Sequence, residues 1–332
     1  MALDGKVLRR ALARHEEAVR RREEETRRLR FRLYGLDPRL RELDGQLRAT
    51  VAQAAAAAVS GGGDPVAAVE AIQRQNLQLQ AERSERIVAL GYPRDCIDDL
   101  PACRQCNDRG YVGAKPCACL LRIYAQEQRK ELSRLLDLQG ERFEAFRLDY
   151  YDDSRDPETG VSPRQHMEMV RLACRRYAET FSARGDNLFL SGAPGLGKTF
   201  LSACIAGVVS DRGYSVVYDT AVNLLSRYEE ARFGRRGDTE EAEADLRRYE
   251  GCDLLILDDL GTEMTTAFNT SVLYEVVNSR LRTRRSTVIS SNLSIEEIGR
   301  RYSPQIASRL EGTYENLKFY GTDIRLLKKA EG

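Results

Sequence analysis

Asn187-Leu-Phe-Leu-Ser191 leads into Gly192-Ala-Pro-Gly195-Leu-Gly197-Lys198-Thr199, and an apolar run from Phe200 to Val209 follows. The order reads as strand, glycine-rich turn, helix, which is the setting a phosphate-binding P-loop requires. Glycines let the backbone curl so that successive N–H groups point inward, and the N-terminus of the next helix adds a favourable dipole. In that reading Gly192, Gly195 and Gly197 shape the loop. Lys198 pairs with the β- and γ-phosphates, and the Thr199 hydroxyl ligates Mg²⁺. Without a second element, the same run could be a strand–helix turn that binds nothing.

The second element is Cys252-Asp-Leu-Leu-Ile-Leu-Asp258-Asp259-Leu-Gly261. Four successive apolar residues suggest a strand buried on both faces, as in a parallel sheet. Ligands of such sheets sit at the carboxyl ends of the strands, where these two carboxylates fall. Asp258 is then the residue that holds the Mg²⁺ shell, and Asp259 the one that orients or deprotonates the attacking water. Further runs alternate between the two periods: a strand at 213–218, helices at 221–233, 239–249 and 267–284, and a strand at 286–292. This alternation predicts a parallel, doubly wound α/β sheet. Asn292 ends its strand beside the carboxylates. Spacing leaves it either a contact to the γ-phosphate or water, or the start of the turn before a helix at Ser294-Ile-Glu-Glu297. Arg309 and Arg325 are candidate cations for charge developing on the γ-phosphate, although 31% charged composition also supplies many ordinary surface arginines.

The chain has 332 residues, room for more than one domain, and a formal net charge of +1. That balance offers no global field for nucleic acid, so such contact has to come from a local patch. No run of about 18 apolar residues spans a bilayer, and the first residues lack the apolar core of a secretory signal. The expectation is a cytoplasmic protein without membrane contact. Four of the eight cysteines lie within 103–119, which suggests a metal site in a reducing compartment more than a disulfide framework.

Residues 4–48 are rich in Arg, Glu and Leu, and Leu29, Leu33, Leu36, Leu40, Leu43 and Leu47 recur at helical spacing. Pro38 divides this stretch into two helices. Ser60-Gly-Gly-Gly-Asp-Pro65 reads as a breaker, and another helix runs from Pro65 to about Leu90. The hairpin so formed packs on itself or on a partner; the leucine stripe does not distinguish the two. Next come Cys103-Arg-Gln-Cys106 and, across a glycine-containing hairpin, Cys117-Ala-Cys119. Two close pairs of thiolates can surround one tetrahedral Zn²⁺. The C-x-C half is tight, which leaves Cys96 or an outside residue as a replacement ligand, and four unconnected reduced cysteines or a redox pair are the competing readings. Both histidines, His15 and His166, lie far off in sequence. A helical pattern covers 120–139, and 152–163 has loop composition.

The run Cys252 to Glu263 resembles that of the DnaC/DnaI-type helicase loaders and the related IstB-type transposition ATPases, which are AAA+ proteins. So do Ser290-Ser-Asn-Leu293, Ser308-Arg-Leu310 and Gly321-Thr-Asp-Ile-Arg325. Phe143-Glu-Ala-Phe-Arg-Leu-Asp-Tyr-Tyr151 and the cysteine pairs resemble the DnaI-like branch. The resemblance implies a helical partner-binding region at 1–92, a zinc knuckle and linker helix at 93–140, and an AAA+ ATPase domain at 141–332. It implies Walker A at Lys198 and Thr199, Walker B at Asp258 and Asp259, sensor 1 at Asn292 and a sensor-2-like Arg325. Arg309 is implied as an arginine finger acting on a neighbouring subunit of an ATP-bound homo-oligomer. The implied partners are a replicative DNA helicase and single-stranded DNA, and the implied cofactors ATP, Mg²⁺ and Zn²⁺. Residues 232–236, Arg-Phe-Gly-Arg-Arg, match the pattern poorly in the region where such loaders contact DNA. The alternatives are an IstB-like helper of a transposase, a branch that usually lacks the cysteine region, and a binding module whose ATPase is only a nucleotide-dependent clamp.

Overall fold

The computed structural model describes residues 3–59, 65–132, 136, 141–155, 160–234 and 236–331. They fall into two compact units. One comprises residues up to Ala11 together with those from Leu120 onward; the other runs from Leu12 to Cys119. In chain order the elements are α1 (Gly5–Leu36), α2 (Arg39–Val59), α3 (Pro65–Ala89), β1 (Tyr111–Val112), β2 (Lys115–Pro116) and α4 (Ala118–Leu132). Then follow α5 (Pro163–Thr180), β3 (Leu188–Ser191), α6 (Lys198–Asp211), β4 (Val216–Thr220), α7 (Ala221–Phe233) and α8 (Arg236–Gly251). The last are β5 (Leu254–Leu260), α9 (Ala267–Arg282), β6 (Ser286–Ser291), α10 (Ile295–Arg301), α11 (Pro304–Thr313), β7 (Glu315–Lys318) and α12 (Ile324–Glu331).

Strands β3 to β7 form one parallel sheet in the order β4-β5-β6-β3-β7. The period of two along each strand divides its residues between two cores. Leu188, Leu190, Tyr218, Ile256 and Val288 pack with α5 and α6 on one face. Phe189, Val217, Leu255, Leu257 and Ile289 pack with α7, α9 and α11 on the other. Burial on both faces is why β5 carries no alternation. Each fully buried Leu, Ile or Phe contributes roughly 1.5–3 kcal/mol, so the sheet is a rigid platform for whatever its strand ends carry. β6 lies between β3 and β5, so the P-loop strand and the carboxylate-bearing strand are not neighbours. The end of β6 therefore falls between them.

Helices α11 and α12 were not part of the sequence reading, and two strands differ from it. The second strand of the sheet begins at Val216, not Gly213, because Gly213 turns at φ +89° and the Ser215 N–H donates to Asp253 Oδ2 at 3.1 Å. Strand β7 was not anticipated: Glu315-Asn-Leu-Lys318 has no apolar run, and it pairs only with β3 at the sheet edge. The linker helix is α4, ending at Leu132; the rest of the expected 120–139 stretch lies outside the described residues apart from Leu136. The 60–64 breaker lies outside them too.

The first turn of α1 belongs to the sheet-containing unit. Asp4 caps it, accepting from the N–H groups of Lys6 and Val7, and its other oxygen accepts from Arg248 Nε of α8 at 2.6 Å. The Asp4 N–H donates to Tyr124 Oη, and Tyr124 in turn donates to Gln128 Oε1. Gln128 reaches Ser210 Oγ and the Tyr214 carbonyl. The Asp4 side chain is 2% exposed and that of Arg248 14%, so removing Arg248 strands a buried carboxylate at about 3–5 kcal/mol, whereas Arg248 without Asp4 keeps Asp245 and Glu131.

In the second unit, α2 and α3 pair antiparallel. Asn76, Glu82 and Arg86 of α3 meet Thr50, Arg39 and Asp37, which run backwards toward the start of α2. The leucine stripe serves this packing: Leu33, Leu40 and Leu43 are fully buried, and Leu33 and Leu40 cluster with Ile87 and Ile97. Leu36 is the exception, 59% exposed. Among the described residues no helix is long and apolar enough to cross a membrane.

Candidate functional site

The P-loop closes at the carboxyl end of β3. Gly192, Gly195 and Gly197 all have positive φ. A β-carbon on Gly192 would lie 2.6 Å from the Phe319 carbonyl oxygen, and one on Gly195 would fall on the Asp323 carboxylate. At Gly192 the obstacle is backbone, and at Gly195 it is a side-chain carboxylate added to the strain of φ +77°. Gly197 is the residue before α6, so the helix N-terminus opens onto the loop, a ready anion site. Lys198 Nζ donates to the carbonyls of Gly192 at 2.6 Å and Ala193 at 2.8 Å. Burial lowers its pKa, opposed by Asp259 and Asp258.

Opposite the loop, Thr199 Oγ1 donates to Asp258 Oδ2 at 3.0 Å. This juxtaposes the hydroxyl and carboxylate expected to hold Mg²⁺, and such hard oxygen donors suit that ion. Asp258 is 3% exposed and accepts two further hydroxyls, Tyr218 Oη on Oδ2 and Ser290 Oγ on Oδ1. Burial and the neighbouring Asp258 push the Tyr218 phenol well above its ordinary pKa, so it stays a proton donor. Asp259 sits in a register irregularity of β5 and has a left-handed φ of 56°. That conformation costs about 1–3 kcal/mol in a non-glycine residue, and it turns the carboxylate out of the sheet into the cleft. Ser290 Oγ accepts the Asp259 N–H at 3.1 Å. Desolvation, then the charge of Asp258, raises the Asp259 pKa.

Gly195, Gly197, Lys198, Thr199 and Asp259 line a cleft of about 450 Å³ that also includes Asn292, Arg325 and Ile324; Asp258 lies behind it, hydrogen-bonded to Thr199. Asn292 is not the cap of the following helix; Ser294 is, in a full capping box with Glu297. Arg325 reaches the cleft from the start of α12, where Asp323 and Gly195 anchor the turn. The far wall is Ala145, Phe146, Arg147 and Tyr150. Phe146 stacks on Tyr151 at 5.8 Å and packs against Phe200 at 5.7 Å, while Tyr151 donates to the Leu196 carbonyl. An apolar, aromatic wall facing a polar loop suits a flat base joined to phosphates. Arg309 is not among the lining residues. Its guanidinium lies over the Tyr274 ring at 4.5 Å and donates to Tyr274 Oη and Asn278 Oδ1.

In the other unit, the Sγ atoms of Cys103, Cys106, Cys117 and Cys119 all lie within 4.8 Å of one another. Cys103 and Cys117 are 3.7 Å apart, and Cys106 and Cys119 3.4 Å. Four thiolates at Zn–S distances of about 2.3 Å in a tetrahedron are separated by about 3.8 Å, so the set fits Zn²⁺. The β1–β2 hairpin brings the pairs together, with the Cys117 N–H donating to the Gly110 carbonyl at 2.8 Å. Cys96 packs instead with the hairpin core around Leu33.

Sequence reasoning missed Tyr218 and Ser290, whose role depends on which strands are neighbours. It missed the wall at 145–150, although the segment's aromatic density was a usable signal. It also set His15 aside for distance along the chain, yet His15 Nε2 lies 3.8 Å from Cys119 Sγ.

The IstB-like ATP binding protein family matches residues 164–308, a span that contains Lys198, Thr199, Asp258, Asp259 and Asn292 and stops one residue short of Arg309. The replicative helicase loader DnaC of Buchnera aphidicola subsp. Baizongia pistaciae is 30% identical over 128 residues, 39% of this chain and 51% of that protein. A putative insertion sequence ATP-binding protein of Sinorhizobium fredii is 35% identical over 122 residues, 37% of this chain and 39% of that one. A crystal structure of the DnaC helicase loader covers 54% of this chain and 98% of its own, at 19% identity and a TM-score of 0.43. The chain thus spans about half or less of the length of these curated relatives. With Lys198, Thr199, Asp258 and Asp259 gathered at the ends of a parallel sheet, the segment from 164 to 308 is similar to the IstB-like ATP binding protein family.

Proposed function

We propose that the chain is an ATP-dependent loader of a replicative DNA helicase, working in the cytoplasm as an ATP-bound homo-oligomer. The observation that carries this reading is the joining, in one chain, of a P-loop cleft to a helical hairpin and cysteine knuckle. In this reading residues 1–92 grip the helicase, 93–140 form a Zn²⁺ knuckle and linker, and 141–332 are the ATPase. Lys198 holds the β- and γ-phosphates, while Thr199 and Asp258 hold Mg²⁺. Asp259 takes a proton from water attacking the γ-phosphorus as the bond to ADP breaks. Asn292 and Arg325 contact the γ-phosphate. Arg309, held away from its own cleft by Tyr274 and Asn278, serves a neighbouring subunit.

Single-stranded DNA contact is proposed at the end of α7. Phe233 is 69% exposed and packs against Phe268 at 5.6 Å, with Arg232 over its ring. An exposed aromatic beside a cation offers stacking and phosphate contact; Arg235 lies outside the described residues.

A second reading, a helper of a DNA transposase, is favoured by the insertion-sequence relative. Capture of the full chain with ATP by an immobilised replicative helicase, against an immobilised transposase, separates the two. Retention by the helicase alone supports the loader; retention by the transposase alone overturns it.

A further inference from the structure

The cysteine knuckle has a fifth polar neighbour. His15 is buried at 7% exposure on α1, and its Nε2 is 3.8 Å from Cys119 Sγ. It does not belong to the group of ligand atoms that all lie within 4.8 Å of one another, so it stands outside the first coordination shell. Two turns further along the same helical face, at i+7, Arg22 pairs with the Asp108 carboxylate. Asp108 in turn accepts the N–H of Cys103 at 2.9 Å and of Ala102 at 3.0 Å. Asn107 and Asp108 hold left-handed φ of 48° and 59° between the two cysteine pairs. Two side chains of α1 thus reach the knuckle, one at a thiolate and one at the loop that presents another.

We propose that His15 is the outer-sphere partner of the metal, donating its Nε2–H to the Cys119 thiolate. The chemistry asks for such a donor. A four-thiolate Zn²⁺ centre carries a net charge of about −2, and an N–H aimed at one sulfur offsets part of it while fixing that ligand's orientation. A neutral imidazole protonated on Nε2 does this with no ionic partner. Because the donor is on α1, metal retention and the seating of this helix become one equilibrium: α1 helps hold the ion, and the ion helps hold α1. The inference rests on the zinc reading above.

The test uses the full chain, with zinc per chain measured by elemental analysis and zinc release to a chromophoric chelator followed in time. His15→Phe keeps a ring and removes the donor; His15→Gln restores an N–H at similar reach. Loss of such outer partners costs about 10–100-fold in metal affinity, so His15→Phe is expected to release zinc that much faster, with His15→Gln recovering most of the difference. Far-UV circular dichroism and ATP binding of both variants report that the fold is kept. In Co²⁺-loaded protein, the ligand-field bands are expected at the same positions in wild type and His15→Phe. Equal release rates in all three proteins, or Co²⁺ bands that move on substitution, overturn the outer-sphere role. Wild-type protein that carries no zinc overturns the zinc reading as well, whereas zinc-loaded wild type with an indifferent His15→Phe overturns this inference alone.

Discussion

Tyr218→Phe removes one oxygen atom from the interior of the ATPase unit, and its effect is expected on the metal before the nucleotide. Tyr218 Oη is one of three hydroxyl donors on Asp258, with Thr199 and Ser290. A hydrogen bond to a charged group is worth about 1.5–3 kcal/mol, and each 1.36 kcal/mol is tenfold. Two donors remain, so the lower end applies: about a tenfold rise in the Mg²⁺ concentration giving half-maximal ATPase rate. Phe preserves the ring's packing among Leu188, Leu254 and their neighbours, which separates this loss from a general collapse of the sheet. The assay is initial rate against free Mg²⁺ at saturating ATP, beside binding of a fluorescent ATP analogue in chelator. The second measurement is expected to be unchanged, because Tyr218 does not touch the P-loop carbonyls that hold Lys198. An unaltered Mg²⁺ dependence in a folded variant would refute the idea that the hydroxyls clamp Asp258 as a metal ligand.

Asp259→Asn is expected to retain ATP binding and lose at least ~10²-fold in hydrolysis rate. Because burial and Asp258 raise the Asp259 pKa, wild-type activity should fall, as pH is lowered, before an ordinary aspartate would protonate. The same shift means the ionised carboxylate disfavours the folded state above its folded pKa and ceases to do so as pH falls through it. Nucleotide-free Asp259→Asn should therefore melt slightly higher than wild type at neutral pH, with the gap closing in acid; a lower melting point at neutral pH contradicts this. Gly195→Ala places a methyl on the Asp323 carboxylate at φ +77°, so calorimetry should find markedly weaker ATP binding, and wild-type affinity would show that the α12 turn yields freely. Arg309→Ala should bind ATP normally yet turn over ~10³-fold more slowly, and mixing it with Lys198→Ala protein should recover activity; a mixture no faster than its components argues against action across subunits.

The nucleotide site was legible because its signals are local. Glycines at fixed offsets, a Lys-Thr pair and two acids after an apolar run keep their meaning wherever the chain goes. Asn292 needed one further fact, the position of β6 between β3 and β5, to be placed at the cleft. Tyr218, Ser290 and His15 were not legible for the same reason: each acts on a residue 40, 32 or 104 positions away, and only strand order or helix packing creates the pair. Edge strand β7 escaped because a strand paired on one side needs no apolar run. In the hairpin, the leucine spacing gave the helices but not their partner, and the buried Leu33, Leu40 and Leu43 show the stripe turned inward.

The Asp4–Arg248 pair spans 244 positions of chain. At ribosomal speeds of roughly 5–20 residues per second, Arg248 is made about 12 to 50 s after Asp4. Through that interval the first turn of α1 has neither its α8 partner nor the sheet behind it, and loop-closure entropy opposes any early docking. Asp4 and the turn it caps thus wait on a partner made long after them, and the sheet-containing unit completes itself by taking back a segment that has waited outside it.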